Sequence, residues 1–254
     1  MVKAILFDWG GTLTPWHTVD AKALWRTIAT ECNLLPANGG TETSAAPDRP
    51  VADEAPLATV EQLVDALLAA EDAAWARSRD EHTSATMADV CAAAGIALTA
   101  DLLAAHERHW EPHTYTDPDA AAVLAELRSR GLKVGLLSNT VWNREHHERI
   151  LQRDGVLDLF DGAVYTSEIP WTKPHPEAFR AAMDAVGVDD PSACVFVGDR
   201  LFDDIYGAQA AGMRAVHVPH SAVPPSQVGH TVGAPDAVIQ RLTDLLPVVD
   251  AWCQ

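Results

Sequence analysis

The chain has 254 residues, enough for one large domain or for a core of about 150 residues with a smaller accessory unit. Eighteen Lys and Arg stand against 36 Asp and Glu, a formal charge of −18 that repels nucleic acid and anionic membrane surfaces and argues against both as partners. Cys32, Cys91, Cys194 and Cys253 are too dispersed for a disulfide framework or a zinc site, and no apolar run approaches the roughly 18 residues of a membrane span. A cytoplasmic protein, monomeric or homodimeric, is expected.

In chain order, the apolar run 2–7 reads as a strand ending at Asp8. Residues 20–33 then place Leu24, Trp25 and Ile28 on one helical face, and residues 36–56, rich in Pro, Gly, Ser, Thr and acids, read as a mobile loop. Val60, Leu63, Val64, Leu67, Leu68 and Trp75 recur at helical steps and predict an amphipathic helix over about 59–78. Thr99 is a candidate N-cap for a further helix over 99–111. From Asp117 the pattern changes. A helix over 120–130 stops at Gly131, and strands are predicted at 133–137, 163–166 and 194–197, with a fifth at 214–218 after Gly212. Short apolar runs alternating with helical patterns predict an α/β fold, a doubly wound parallel sheet, interrupted by an Ala-rich helical insert.

Ligands of such sheets bind at the carboxyl ends of the strands. Here those ends, or the loops after them, carry Asp8, Ser138 with Asn139, Lys173, and Asp199 followed by Asp203 and Asp204. A carboxylate nucleophile, a hydroxyl, a cation and an acidic metal box together suit a phosphoryl group. Taken singly, Asp8 reads equally as a helix cap, Ser138 as a turn residue and Lys173 as a surface lysine. Joint placement favours the site, and Lys173 is one of only four lysines among 18 basic residues.

The segments FDWGGTLT, LLSN, KPHPEAF and VFVGDRLFDDIYGAQAAGM resemble, in order, the four motifs of the haloacid dehalogenase-like (HAD) hydrolase superfamily. The resemblance implies a Rossmann-like catalytic core over 1–15 and 117–254 and an α-helical cap over 16–116. That cap resembles the one of the subgroup containing phosphoglycolate phosphatase and β-phosphoglucomutase. It further implies that Asp8 attacks the substrate, that Asp8, the Gly10 carbonyl and Asp199 bind Mg²⁺, and that Asp204, with Asp203 as the alternative, supports the metal or the lysine. Ser138 and the Asn139 backbone would hold the phosphate of a small phosphorylated substrate, with Lys173 pairing to it and to Asp8. Hinges of a moving cap are expected at 15–17 and 113–118.

One position departs from the pattern. Phosphatases of the superfamily usually carry a second Asp two residues after the nucleophile, as general acid and base, and here Gly10 stands there. Such a group contributes about 10²- to 10⁴-fold in rate. Three readings follow: a phosphatase that is slow, uses a good leaving group such as an acyl phosphate, or borrows an acid from the cap or His17; a hydrolase of carbon–halogen or other bonds acting on, for example, a halogenated substrate; or a phosphorylated-ligand binding module. DWGGT also resembles the nucleophile loop of phosphonoacetaldehyde hydrolase, which needs a cap lysine, and no lysine lies between Lys22 and Lys133. His106, His109 and His113 have metal-binding spacing without an accompanying carboxylate set. The adjacent His146 and His147 read as surface residues, and Trp9 either packs in the core or walls the site. Arg26, Arg77, Arg79 and Arg108 are candidate cap contacts to a second anionic group on the substrate.

Overall fold

The computed structural model describes residues 1–34, 59–219 and 232–253. The loop expected at 36–56 lies outside the described residues. Strands β1 (Ala4–Phe7), β2 (Lys133–Ser138), β3 (Gly162–Tyr165), β4 (Cys194–Gly198), β5 (Arg214–His217) and β6 (Ala237–Val238) form one sheet in the order β3-β2-β1-β4-β5-β6, with every pairing parallel. The five predicted strands are present to within a residue or two at each end. β6, two residues long, offers no period to detect.

Because side chains alternate across a strand, β1 sends Ile5 and Phe7 to one face and Ala4 and Leu6 to the other. The first face packs with Val134, Leu136, Val195 and Val197 against α5 (Ala120–Ser129), α6 (Arg144–Arg153) and α9 (Leu245–Cys253). The second packs with Leu137 and Phe196 against α7 (Pro176–Val186) and α8 (Gly207–Ala210). Both faces are therefore covered, as a parallel sheet requires. Phe7 is in register with Leu136 on one side and Val197 on the other, and the Asp8 N–H donates to the Val197 carbonyl at 2.9 Å. The chain departs from central β1 to β2 on one flank and later to β4 on the other. Asp8 thus emerges at the point where strand order reverses, beside the crevice such sheets open to ligands.

Helices α1 (Ala21–Glu31), α2 (Val60–Glu81), α3 (Met87–Ala93) and α4 (Ala100–Trp110) build a separate apolar cluster around Trp25, Ile28, Leu63, Val64, Leu67 and Leu102. Each starts at a side-chain cap: Asp20, Thr59, Thr86 and Thr99 accept from backbone N–H groups of the first turn. Each such cap is worth about 1 kcal/mol. Two turns of α3 are too few for hydrophobic periodicity to reveal, although its Thr86–Asp89 capping box is a readable signal. The end of α2 is also bound to the sheet domain away from the expected hinges. Thr83 bridges to Trp171, the Thr172 N–H donates to the His82 carbonyl at 3.0 Å, and the Ser84 N–H donates to the Pro170 carbonyl at 3.1 Å. Any motion of the helical group must carry or break these contacts, which lead directly to Lys173.

The expectation that His146 and His147 lie on the surface is wrong. Both are buried at the start of α6. His147 stacks on Tyr165, meets Trp9 edge-on and lies 3.0 Å from the Thr140 hydroxyl, while His146 stacks on Trp142. Burial holds both rings below the ordinary imidazole range, His146 at about 4, so they pack as neutral aromatics. Among the described residues no helix is long and apolar enough to cross a membrane.

Candidate active site

Four strand ends or following loops converge on the crevice. Asp8 follows β1, Ser138 ends β2, Lys173 lies in the loop between β3 and α7, and Asp199 follows β4. All four are buried, as is Asp204. Lys173 Nζ donates to Asp8 Oδ1 at 2.6 Å and to Asp204 Oδ1 at 2.7 Å. Asn139 fixes the lysine backbone from both sides: its Nδ2 donates to the Lys173 carbonyl at 3.0 Å and its Oδ1 accepts from the Lys173 N–H at 2.8 Å. The asparagine side chain is therefore a positioning group for Lys173, a role the sequence reading did not give it.

Between the two acidic candidates, the structure singles out Asp204. The segment Leu201–Tyr206 winds as a π-helical turn that buries Asp204, whose Oδ2 accepts from the Arg200 N–H at 2.9 Å. Both Asp203 and Asp204 line the cavity, but only Asp204 bonds to Lys173. Gly198 makes room for this carboxylate, since a Cβ there would lie 2.3 Å from Asp204 Oδ2. Gly11 does the same for Asp199, with a φ of +91° and a hypothetical Cβ 2.1 Å from Asp199 Oδ2.

Asp8, Asp199 and Asp204 offer oxygens that all lie within 4.8 Å of one another, an arrangement able to hold a cation. Burial pushes the Asp8 carboxyl up to about 6, with Lys173 opposing and Asp204 adding to the rise. Burial, then the neighbouring Asp8 and Asp204, hold Asp199 well above the carboxylate range. Burial opposes the charge on Lys173, but Asp204 and Asp8 outweigh it and keep the ammonium protonated. Lys173 and Arg200, which lies 3.9 Å from Asp199 Oδ1, do not neutralise three buried carboxylates, and Asp199 Oδ1 is buried without a hydrogen-bond partner. An oxygen-only donor set with excess negative charge fits a hard divalent cation such as Mg²⁺. Among the described residues it is the single cluster of this kind. His106, His109 and His113 do not converge: His106 is buried against Trp25 and Trp142, His109 pairs with Glu31, and His113 faces the crevice.

The crevice is a cavity of about 330 Å³ between the sheet and the helical group. Asp8, Gly10, Ser138, Asn139, Lys173 and Asp204 form its floor, and α2 and α4 contribute Glu71, Trp75, Arg79 and Trp110. Trp9 turns out to serve both roles open to it, packing in the core and lining the cavity. Trp16, not singled out from sequence, donates from Nε1 to Asp199 Oδ2 at 3.1 Å and covers Gly10. Its position just past FDWGGTLT was the available signal. Arg200 also lines the cavity. Of the four candidate cap arginines only Arg79 does so, and it is paired bidentately with Asp80 at 2.9 and 3.0 Å. Arg26 pairs with Glu61, and Arg108 with Glu31. Lys22 pairs with Asp65 at 2.6 Å on an exposed face and is absent from the cavity wall, which leaves the phosphonoacetaldehyde hydrolase comparison without its lysine.

A family model for haloacid dehalogenase-like hydrolases matches residues 2–212. A glyceraldehyde 3-phosphate phosphatase of Methanopyrus kandleri is 34% identical over 132 residues, 52% of this chain and 55% of the relative. The chain thus spans about half the length of this curated relative. Among solved structures, a HAD phosphatase from Thermococcus onnurineus superposes with a TM-score of 0.65 at 22% identity, covering 98% of each chain. The L-2-haloacid dehalogenase of Xanthobacter autotrophicus does so with a TM-score of 0.62 at 21% identity, covering 98% of this chain and 99% of the other. At such identities the structural matches speak to the fold alone.

Proposed function

This chain belongs to the haloacid dehalogenase-like hydrolase family, and from that premise we propose that it is a Mg²⁺-dependent phosphatase of a small phosphorylated molecule, working through an aspartyl phosphate on Asp8. The observation that carries the reading is the buried Lys173 bridging Asp8 and Asp204, with Asp199 beside them. Asp8, the Gly10 carbonyl and Asp199 would hold Mg²⁺, with Asp204 supporting the site through Lys173. Bound there, the ion supplies positive charge that offsets the phosphate and lets the carboxylates ionise together. The phosphate would be held by Ser138, the Asn139 N–H and Lys173. Asp8 attacks phosphorus and the alcohol leaves; water then attacks phosphorus and frees Asp8 with inorganic phosphate.

Helices α1–α4 would act as the cap over 16–116, closing the crevice and excluding water. The acidic triad supports the phosphatase over displacement of halide, which has no use for three buried carboxylates around a lysine. The names of the curated relatives support phosphate ester chemistry. A cytoplasmic setting is part of the proposal and accords with the four free cysteines. Phosphate release from a panel of ester and acyl phosphates, with and without Mg²⁺, tests the reading. Measurable binding of phosphorylated ligands with no turnover on any of them would replace it by the binding-module reading.

A further inference from the structure

The cavity wall is aromatic to a degree that phosphate binding does not explain. Five of the eight tryptophans, Trp9, Trp16, Trp75, Trp110 and Trp142, line it. Trp9 is nearly buried, while the other four are partly exposed towards it. Trp110 and Trp142 meet edge-on at 5.3 Å, and Trp142 continues edge-on to Trp9 at 5.7 Å, so three indoles form a connected wall. Trp75, on α2, makes no hydrogen bond or ring contact among the described residues and presents its ring to the cavity. Five indoles gathered in one concave site form the concentrated apolar surface that marks a ligand-binding cleft.

A second observation concerns the leaving group. Gly10 supplies no proton to a departing alkoxide, and an aliphatic alkoxide is about as basic as hydroxide and leaves poorly without one. A phenoxide leaves unaided far more readily, because a phenol ionises near pH ~10. The wall and the missing acid thus select the same feature of the substrate. Charge agrees with both: Arg79, the cap arginine that reaches the cavity, is held by Asp80, so a second anionic group on the substrate has no cap arginine waiting for it. A cavity of about 330 Å³ sits at the small end of the range of roughly 300–1,000 Å³ for small-molecule sites, room for one or two fused rings beside the phosphate.

Resting on the phosphatase reading, we propose that the substrates are phosphate monoesters of planar aromatic alcohols, with the ring held against Trp75 and Trp110 and the phosphate against Asp8 and Lys173. The Asp8 carboxylate forms a bond to phosphorus as the bond to the aryl oxygen breaks. The aryloxide leaves with the electron pair and takes its proton from water. A second water attacks phosphorus, the bond to Asp8 breaks, and Asp8, inorganic phosphate and a proton are released.

The test is steady-state phosphate release with Mg²⁺ from phenyl and 2-naphthyl phosphate, from glycerol phosphate and propyl phosphate, and from acetyl phosphate as a small substrate with a good leaving group. The aryl esters should exceed the alkyl esters in kcat/KM by at least about 100-fold, the scale of an absent general acid. Trp75→Leu should raise KM for the aryl esters by about three- to tenfold more than it does for acetyl phosphate, which has no ring to hold. Acetyl phosphate turned over well, with aryl esters no better than alkyl ones or indifferent to Trp75→Leu, would overturn the aromatic class and leave the phosphatase standing. Alkyl esters hydrolysed as fast as aryl ones, and selectively lost in Glu71→Gln, would also overturn it and assign proton donation to Glu71. No phosphate released from any compound would remove the phosphatase reading itself.

Discussion

Restoring an acid at position 10 is the most informative single substitution. A Cβ on Gly10 would meet Trp16 Cζ2 at 3.5 Å and Cη2 at 3.7 Å, ordinary van der Waals contact, and the backbone there is outside the left-handed region. Gly10→Asp should therefore fold without local strain, unlike a substitution at Gly11, where a Cβ would collide with Asp199 and Trp16. The new carboxyl joins three buried carboxylates offset by only two cations, Lys173 and Arg200, so Mg²⁺ should stabilise the variant more than it stabilises the parent. On alkyl phosphates kcat should rise by about 10²- to 10⁴-fold, equivalent to roughly 3–5 kcal/mol of barrier. On aryl phosphates, whose leaving group needs less help, the gain should stay under about tenfold. Phosphate release over a series of esters, with thermal unfolding in Mg²⁺ to confirm folding, measures this. A folded Gly10→Asp protein with unchanged alkyl esterase activity would mean that the missing proton donor is not what limits the site.

Other substitutions probe the supporting geometry. Gly198→Ala places a methyl group 2.3 Å from Asp204 Oδ2 and should cut kcat at least about 100-fold by displacing the carboxylate that holds Lys173; retained activity would separate Asp204 from the site. Asn139→Ala removes both side-chain contacts to the Lys173 backbone and should lower kcat about 10- to 100-fold with little change in Mg²⁺-induced stabilisation. Acid lability is expected from the buried imidazoles. Burial lowers His106 to about 3 and His146 to about 4, so the unfolded chain binds protons below pH ~6.5 that the folded chain refuses. Each ring should then withdraw about 1.4 kcal/mol of stability per pH unit as pH falls from ~6.5 towards those values. The raised carboxyls of Asp8 and Asp199 act in the opposite sense, so the comparison is best made between proteins. His106, whose ring nitrogens are both buried without partners, is the residue to change. Urea midpoints should fall less between pH 7.5 and 5.5 in His106→Phe than in the parent, and equal falls would contradict the burial argument.

The floor of the site was legible because its residues follow apolar runs whose strand character is unambiguous, and a parallel sheet fixes where strand ends go. Asp8, Ser138, Lys173 and Asp199 needed only that rule. Asp204 was preferred to Asp203 from the motif resemblance, but the π-helical winding of Leu201–Tyr206 that buries it has no signal in the sequence. The cavity wall was less accessible. Trp16, Trp75, Trp110 and Trp142 lie on four separate stretches of chain, and nothing local to any of them says that they face one another. His146 and His147 misled for a related reason: histidine reads as polar in sequence, but a neutral imidazole beside Trp9, Trp142 and Tyr165 packs as an aromatic ring.

Covalent catalysis by Asp8 on phosphorus leaves an intermediate that can be trapped by quenching the enzyme in acid during turnover of phenyl phosphate with Mg²⁺ and weighing the peptide that carries Asp8. A phosphorylated Asp8 should be found and should disappear as substrate is exhausted, and an Asp8→Asn protein should form no such species and release no phosphate. Sustained phosphate release by Asp8→Asn would contradict covalent catalysis by Asp8.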